Sequence, residues 1–143
     1  MISKTSEYAL RAVVCLAQSP DKPHTTAEIA KLTKVPEHYL SKVLLMLAKH
    51  EVVYSKKGLH GGYILEHLPE NLSLLNVINA VDPIKYIKTC PLKLKTHGTN
   101  LCRLHKRLND SIGLVEEMFR TSTVGTILSD PTKSIPLSES SSK

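Results

Sequence analysis

The sequence predicts a mainly α protein with a small β-hairpin wing, organised as a winged helix-turn-helix plus a long C-terminal dimerisation helix. Three observations predict it. Two short amphipathic helical patterns are separated by a break at Lys34-Val35, a glycine-rich hairpin pattern follows at once, and a long apolar stripe runs near the C-terminus. Each piece alone is common; their order within about 40 residues is what carries the assignment.

Ser3 to Ser19 reads as a first helix, with Ala9, Ala12, Val13 and Leu16 on one face beneath the pair. The first helix of the pair opens at Thr25-Thr26-Ala27-Glu28, where a threonine hydroxyl can cap and Glu28 can bond back. Ile29, Ala30 and Leu32 are expected to face inward. Pro36 has no amide hydrogen to lose, so it suits the first turn of a second helix running to about His50. Leu40, Val43, Leu44 and Leu47 recur at offsets of three and four and form its buried stripe, leaving Glu37, His38, Ser41, Lys42 and Lys49 largely opposite.

Val52-Val53-Tyr54-Ser55 and Tyr63-Ile64-Leu65 then flank Lys56-Lys57-Gly58-Leu59-His60-Gly61-Gly62, a hairpin whose glycines allow sharp turns and whose tip is basic. A short helix over Leu74, Leu75, Val77, Ile78 and Val81 is capped by Ser73 and halted before Pro83. From about Cys102 to Arg120, Leu104, Leu108, Ile112, Val115 and Phe119 step by three or four. So long a stripe finds little to cover it in one small domain. Pairing with the same helix of a second copy would bury it and set two reading helices about 34 Å apart; the alternative is a helix folded back on its own domain. The divisions expected are a DNA-binding domain over 1–82, a basic Cys/His loop over 83–101, the dimerisation helix and a short following helix over 102–128, and a disordered tail over 129–143, which is rich in serine and proline.

At 143 residues the chain suits one cored domain with an appendage. The net charge of +6 favours a polyanionic partner, and residues 1–65 hold nine Lys/Arg against five Asp/Glu, so most of the excess lies in the proposed reading part. No run approaches a membrane span of roughly 18 apolar residues, and the start lacks a secretory signal, so a cytoplasmic location with no membrane partner is expected. Three cysteines argue against a disulfide framework and leave metal ligation or thiol chemistry open. Cys15, among Val13, Val14 and Leu16, reads as a small core hydrophobe.

A helix beginning with short polar side chains suits entry into a major groove, and a basic hairpin suits phosphates or the minor groove. The candidate DNA contacts are therefore Thr26, Pro36, Glu37, His38, Tyr39, Ser41 and Lys42 in the helix pair, with Lys56, Lys57, His60, Gly61 and Gly62 in the wing. A winged helix that docks proteins instead is the rival. No Ser-His-Asp or phosphate-loop pattern is present, and an enzyme is not expected.

His38-Tyr39-Leu40-Ser41-Lys42-Val43-Leu44, the wing Lys57-Gly58-Leu59-His60-Gly61-Gly62-Tyr63 and the opening Glu7-Tyr8-Ala9-Leu10-Arg11-Ala12 resemble the Rrf-two (Rrf2) family of bacterial transcription regulators. The resemblance runs from about residue 1 to residue 130. Glu51 departs from it, since glycine is common there. The family includes an iron-sulfur cluster regulator and a nitric-oxide-sensing repressor, so the resemblance implies a homodimeric repressor of a palindromic operator. It also implies a cluster, held before the long helix, whose chemical state controls DNA affinity.

No acidic residue lies between Asp82 and Asp110, while Cys90, His97, Cys102 and His105 stand among seven Lys and Arg residues; nearby positive charge favours thiolates as metal ligands. The family typically places three cysteines with five residues between successive ones and a histidine behind the third. Here Cys90 and Cys102 match the outer positions, His105 follows, and Thr96 occupies the middle. Glu7 matches a place from which some members supply a carboxylate from the partner subunit, whereas Arg11, at a place where a member of the family is expected to use a second N-terminal ligand, cannot ligate; His97 stands next to the vacant position. Three states stay open: a two-iron cluster on Cys90, Cys102, Glu7 and a histidine, a zinc ion on Cys90, His97, Cys102 and His105, or no metal.

Overall fold

Hydroxyl caps set where the first helices begin. In the computed structural model, which describes residues 2–97, 100–132 and 134–138, Ser3 Oγ accepts from the Ser6 amide at 3.1 Å and opens α1 (Lys4–Ala17). Thr25 and Glu28 form the expected reciprocal capping box at the start of α2 (Thr26–Thr33). Pro36 stands just outside α3 (Glu37–Lys49) with ψ 129°, one residue earlier than the first-turn position expected of it. Lys34 (φ 57°) closes α2 and Glu51 (φ 59°) follows α3, both left-handed. Glu51 thus occupies a conformation that glycine adopts freely, which is the physical content of its departure from the family pattern.

The core forms where α1, α2 and α3 meet. Ala9, Ala12, Val13 and Leu16 of α1 pack with Ile29 and with the stripe Leu40, Val43, Leu44 and Leu47, all buried. Each large side chain contributes roughly 1.5–3 kcal/mol of burial. Leu32 does not join them: it is 53% exposed. The buried seam of α2 is Ile29 and Thr33, one turn apart, and Thr33 Oγ1 is satisfied by donating to the Ile29 carbonyl at 2.7 Å, so Leu32 falls off the seam.

The wing is an antiparallel pair of β1 (Val53–Lys56) and β2 (Gly62–Leu65), with Val53 opposite Leu65 and Lys56 opposite Gly62. The segment before α2 adds a third partner. His24 and Tyr63 exchange both backbone hydrogen bonds, at 3.0 and 2.7 Å, which ties the wing to the start of α2. A 3-10 turn (Pro69–Asn71) leads to α4 (Leu74–Val81), capped by Ser73. α5 (Arg103–Thr121) follows the loop, and α6 (Val124–Ser129) folds back so that the Val124 amide donates to the Leu72 carbonyl at 2.8 Å.

α5 packs on α4, yet none of its residues is buried. The stripe read from the sequence divides: Ile112, Val115 and Phe119 face a cavity shared with α1 and α4, while Leu104 and Leu108 are exposed. Leu114 and Met118, 72% and 66% exposed, add an apolar edge roughly 110° round the helix from the first three. Of the tail 129–143 expected to be disordered, Lys133 and residues 139–143 lie outside the described residues; within the rest, the Pro136 carbonyl accepts from Gln18 Nε2 at 2.7 Å. Among the described residues no helix is long and apolar enough to cross a membrane.

Candidate nucleic-acid interface

The entry to α3 and its first two turns present Pro36, Glu37, His38 and Lys42 to solvent, while Leu40 and Val43 anchor the opposite face. This follows from the helical period: burying positions 40, 43, 44 and 47 forces 37, 38, 41 and 42 outward. Ser41 is half-buried, its hydroxyl donating to the Glu37 carbonyl at 3.0 Å. Tyr39 is held from below, its hydroxyl paired with Thr5 Oγ1 at 2.5 Å and its ring edge-on to Tyr8 at 5.3 Å. Those interactions position the start of α3 on α1. Arg11 reinforces the joint by donating to the Thr33 carbonyl at 3.3 Å and to Glu7 Oε1 at 2.5 Å.

Lys56, Lys57 and His60 are exposed along the wing, and β1 packs against α3, so reading helix and wing form one unit. Leu59, His60 and Gly61 share a shallow depression with Thr25 and Glu28, which brings the wing tip beside the start of α2, where Thr26 lies half-buried. Leu59, which sequence reading does not single out, is 94% exposed at that tip. Isolated exposed leucines are common enough that composition offers no signal for this one.

Two of the three wing glycines shape the hairpin. A Cβ on Gly61 would collide with the Lys56 carbonyl oxygen, and one on Gly62 (φ 149°) with the His24 backbone. Gly62→Ala is therefore expected to cost about 2–3 kcal/mol, combining backbone strain with loss of the His24–Tyr63 tie. Gly58→Ala, at φ 118° but with open space around it, should cost less. Urea midpoints at unchanged m-value measure both, and equal costs would mean that the close approach to His24 contributes nothing.

The loop before α5 is pinned by polar interactions. Asn109 clasps Ile87, accepting from its amide at 2.8 Å and donating to its carbonyl at 2.7 Å, and the Tyr86 hydroxyl donates to Glu116 at 2.5 Å. That hydrogen bond raises the Tyr86 pKa. Cys90 is buried, and Cys102, half-buried at the start of α5, has its Sγ 3.3 Å from His105 Nδ1. Among the described residues, His97 Nδ1 is buried with no hydrogen-bond partner. Glu7 lies on α1, engaged by Arg11. Among the described residues no three His, Cys, Asp or Glu side chains come together. Among the described residues of one subunit, Cys90, His97, Cys102, His105 and Glu7 are thus not gathered three together. Cys15 is buried in α1, and that burial pushes its thiol pKa up, so it remains a neutral core residue.

Three helices packed around a turn and followed by a hairpin that abuts the third helix define a winged-helix protein. Residues 2–130 match the family described as Rrf2, iron-dependent transcriptional regulator, and the chain belongs to that family. It is 33% identical over 128 residues to a putative HTH-type transcriptional regulator of Aquifex aeolicus, covering 87% of this chain and 88% of that one. It is 28% identical over 130 residues to the HTH-type transcriptional regulator IscR of Sodalis glossinidius, covering 90% and 79%. Among solved structures, T. potens IscR superposes with a TM-score of 0.76 at 22% identity, covering 92% of this chain and 88% of that one. Members of the family are DNA-binding transcriptional regulators rather than enzymes.

Proposed function

We propose that this chain is a sequence-specific DNA-binding repressor that acts as a homodimer on a palindromic operator. The observation that carries the reading is the pairing of the exposed His38 and Lys42 at the α3 N-terminus, with Ser41 half-buried between them, with the exposed basic wing (Lys56, Lys57, His60). Side chains of the first group reach base edges and, through Lys42, a phosphate, and those of the second neutralise phosphates. Leu114 and Met118 supply an apolar edge for pairing two copies through α5.

The loop over 83–101 is the element through which DNA affinity is controlled, because it joins the reading domain to α5 and is clasped to α5 by Asn109. The family's iron-dependent description and the placing of Cys90 and Cys102 support a cluster reading. The dispersal of donors within a subunit supports a metal-free one, and the latter is adopted. A cluster would require Glu7 of a second copy and a rearranged loop.

The test is selection from a randomised duplex pool by protein purified without oxygen, with iron and acid-labile sulfide measured on the same sample. A palindrome with half-sites about one helical turn apart, and far less than one iron per subunit, is the expected result. One cluster per subunit would replace the metal-free reading, and failure to enrich any duplex would favour the protein-docking alternative.

A further inference from the structure

Between α1, the end of α4, the first residues after Asp82 and α5 lies a half-open cavity of about 410 Å3. That volume is within the roughly 300–1,000 Å3 of small-molecule sites. Its walls include the apolar side chains of Ile78, Ile112, Val115 and Phe119, and its lining also includes Asp82 and Lys85. Lys85 is exposed, Asp82 is half-buried, and among the described residues neither belongs to an ion pair. The lining thus combines a mainly apolar set of residues with one acidic residue, half-buried, and one basic residue, exposed.

We propose that this cavity is an effector site for a free α-amino acid with an apolar side chain. Charge complementarity selects that class. An apolar carboxylic acid would set its charge against Asp82, and an apolar amine would set its charge against Lys85, whereas a zwitterion gives each group an opposite partner. The ligand's side chain fills the space bounded by Ile78, Val115 and Phe119. Pairing of two copies through Leu114 and Met118 uses a different side of α5, roughly 110° away, and leaves the cavity open.

One wall of the site is the reading domain and the other is α5. A ligand that wedges between them changes the angle at which each reading domain leaves the dimer helix, and hence the separation of the two α3 helices. This coupling to DNA rests on the function proposed above; binding itself does not.

Calorimetry on the full-length protein without DNA tests the site with L-phenylalanine, 3-phenylpropionate and phenethylamine as probes. L-Phenylalanine is expected to bind at least about tenfold more tightly than either analogue. Lys85→Glu, at an exposed position, should weaken that binding about tenfold at unchanged thermal midpoint, and Val115→Trp should abolish it by filling the cavity. No binding of L-phenylalanine up to about 10 mM, or equal binding by Lys85→Glu, overturns the proposal. Should Val115→Trp fail to fold, Lys85→Glu decides alone; should it fold as a monomer, a second copy occupies the cavity and the proposal fails. In a gel shift on the selected operator, saturating L-phenylalanine is expected to change affinity about fivefold or more. Binding with unchanged operator affinity removes the effector role and leaves the site; a protein that takes up the ligand but no duplex removes the DNA reading instead.

Discussion

Replacing Lys42, Lys56 and Lys57 together by alanine removes six lysines from the dimer and is expected to weaken operator binding by on the order of 10⁴-fold at ~0.15 M salt. Each phosphate left without its lysine removes about 1 kcal/mol of binding. All three side chains are exposed and outside every ion pair among the described residues, so replacing them leaves the core, and the thermal midpoint, nearly unchanged. The more diagnostic readout is the salt dependence. A plot of log affinity against log salt should become shallower by about five units of slope, near 0.9 for each of the six phosphates that the dimer no longer neutralises. Gel shifts of wild type and variant at two salt concentrations measure it. An unchanged slope would show that the wing and α3 do not lie along a nucleic-acid backbone.

A second large effect is expected from Leu114→Glu combined with Met118→Glu. Both side chains are well exposed in the subunit, so two carboxylates there cost the isolated fold little, but across a two-fold interface they would be desolvated beside their own copies. The variant should sediment as a monomer while α5 keeps its helical signal. Affinity for the palindrome should fall by roughly 10²–10⁴, because the second half-site then binds as a separate molecule rather than at the high effective concentration of a linked pair. A dimeric mass for this variant would move the interface to another surface, with the Leu104 end of α5 the next to test.

The elements most legible in the sequence are those governed by local chemistry. The caps at Thr25 and Ser73, the offsets of Leu40, Val43, Leu44 and Leu47, and the glycine-flanked wing all depend on residues within a few positions of one another, and each stands in the structure where its local pattern puts it. Leu32 defeats the inward assignment because periodicity shows which residues are apolar in an eight-residue helix, not which edge of it meets the core. Tyr39 looks from the sequence like one more polar residue on a reading helix. Only its packing against Thr5 and Tyr8 reveals a joint between α3 and α1. The ligand set implied by the resemblance combines Cys90, Cys102 and His105 with Glu7, and spacing along the chain cannot say whether such groups meet in space.

Sequence alone therefore determined the winged helix-turn-helix, its basic wing and the long helix after it, since hydroxyl caps, helical period and glycine turns act over one or two turns of chain. Tertiary structure decided which apolar side of α5 remains open, that the wing is tied to His24, and that a cavity separates α5 from the reading domain. These features come from packing between segments far apart in the chain. Whether two such surfaces fill or leave a space depends on shape in three dimensions, a quantity that no local pattern encodes.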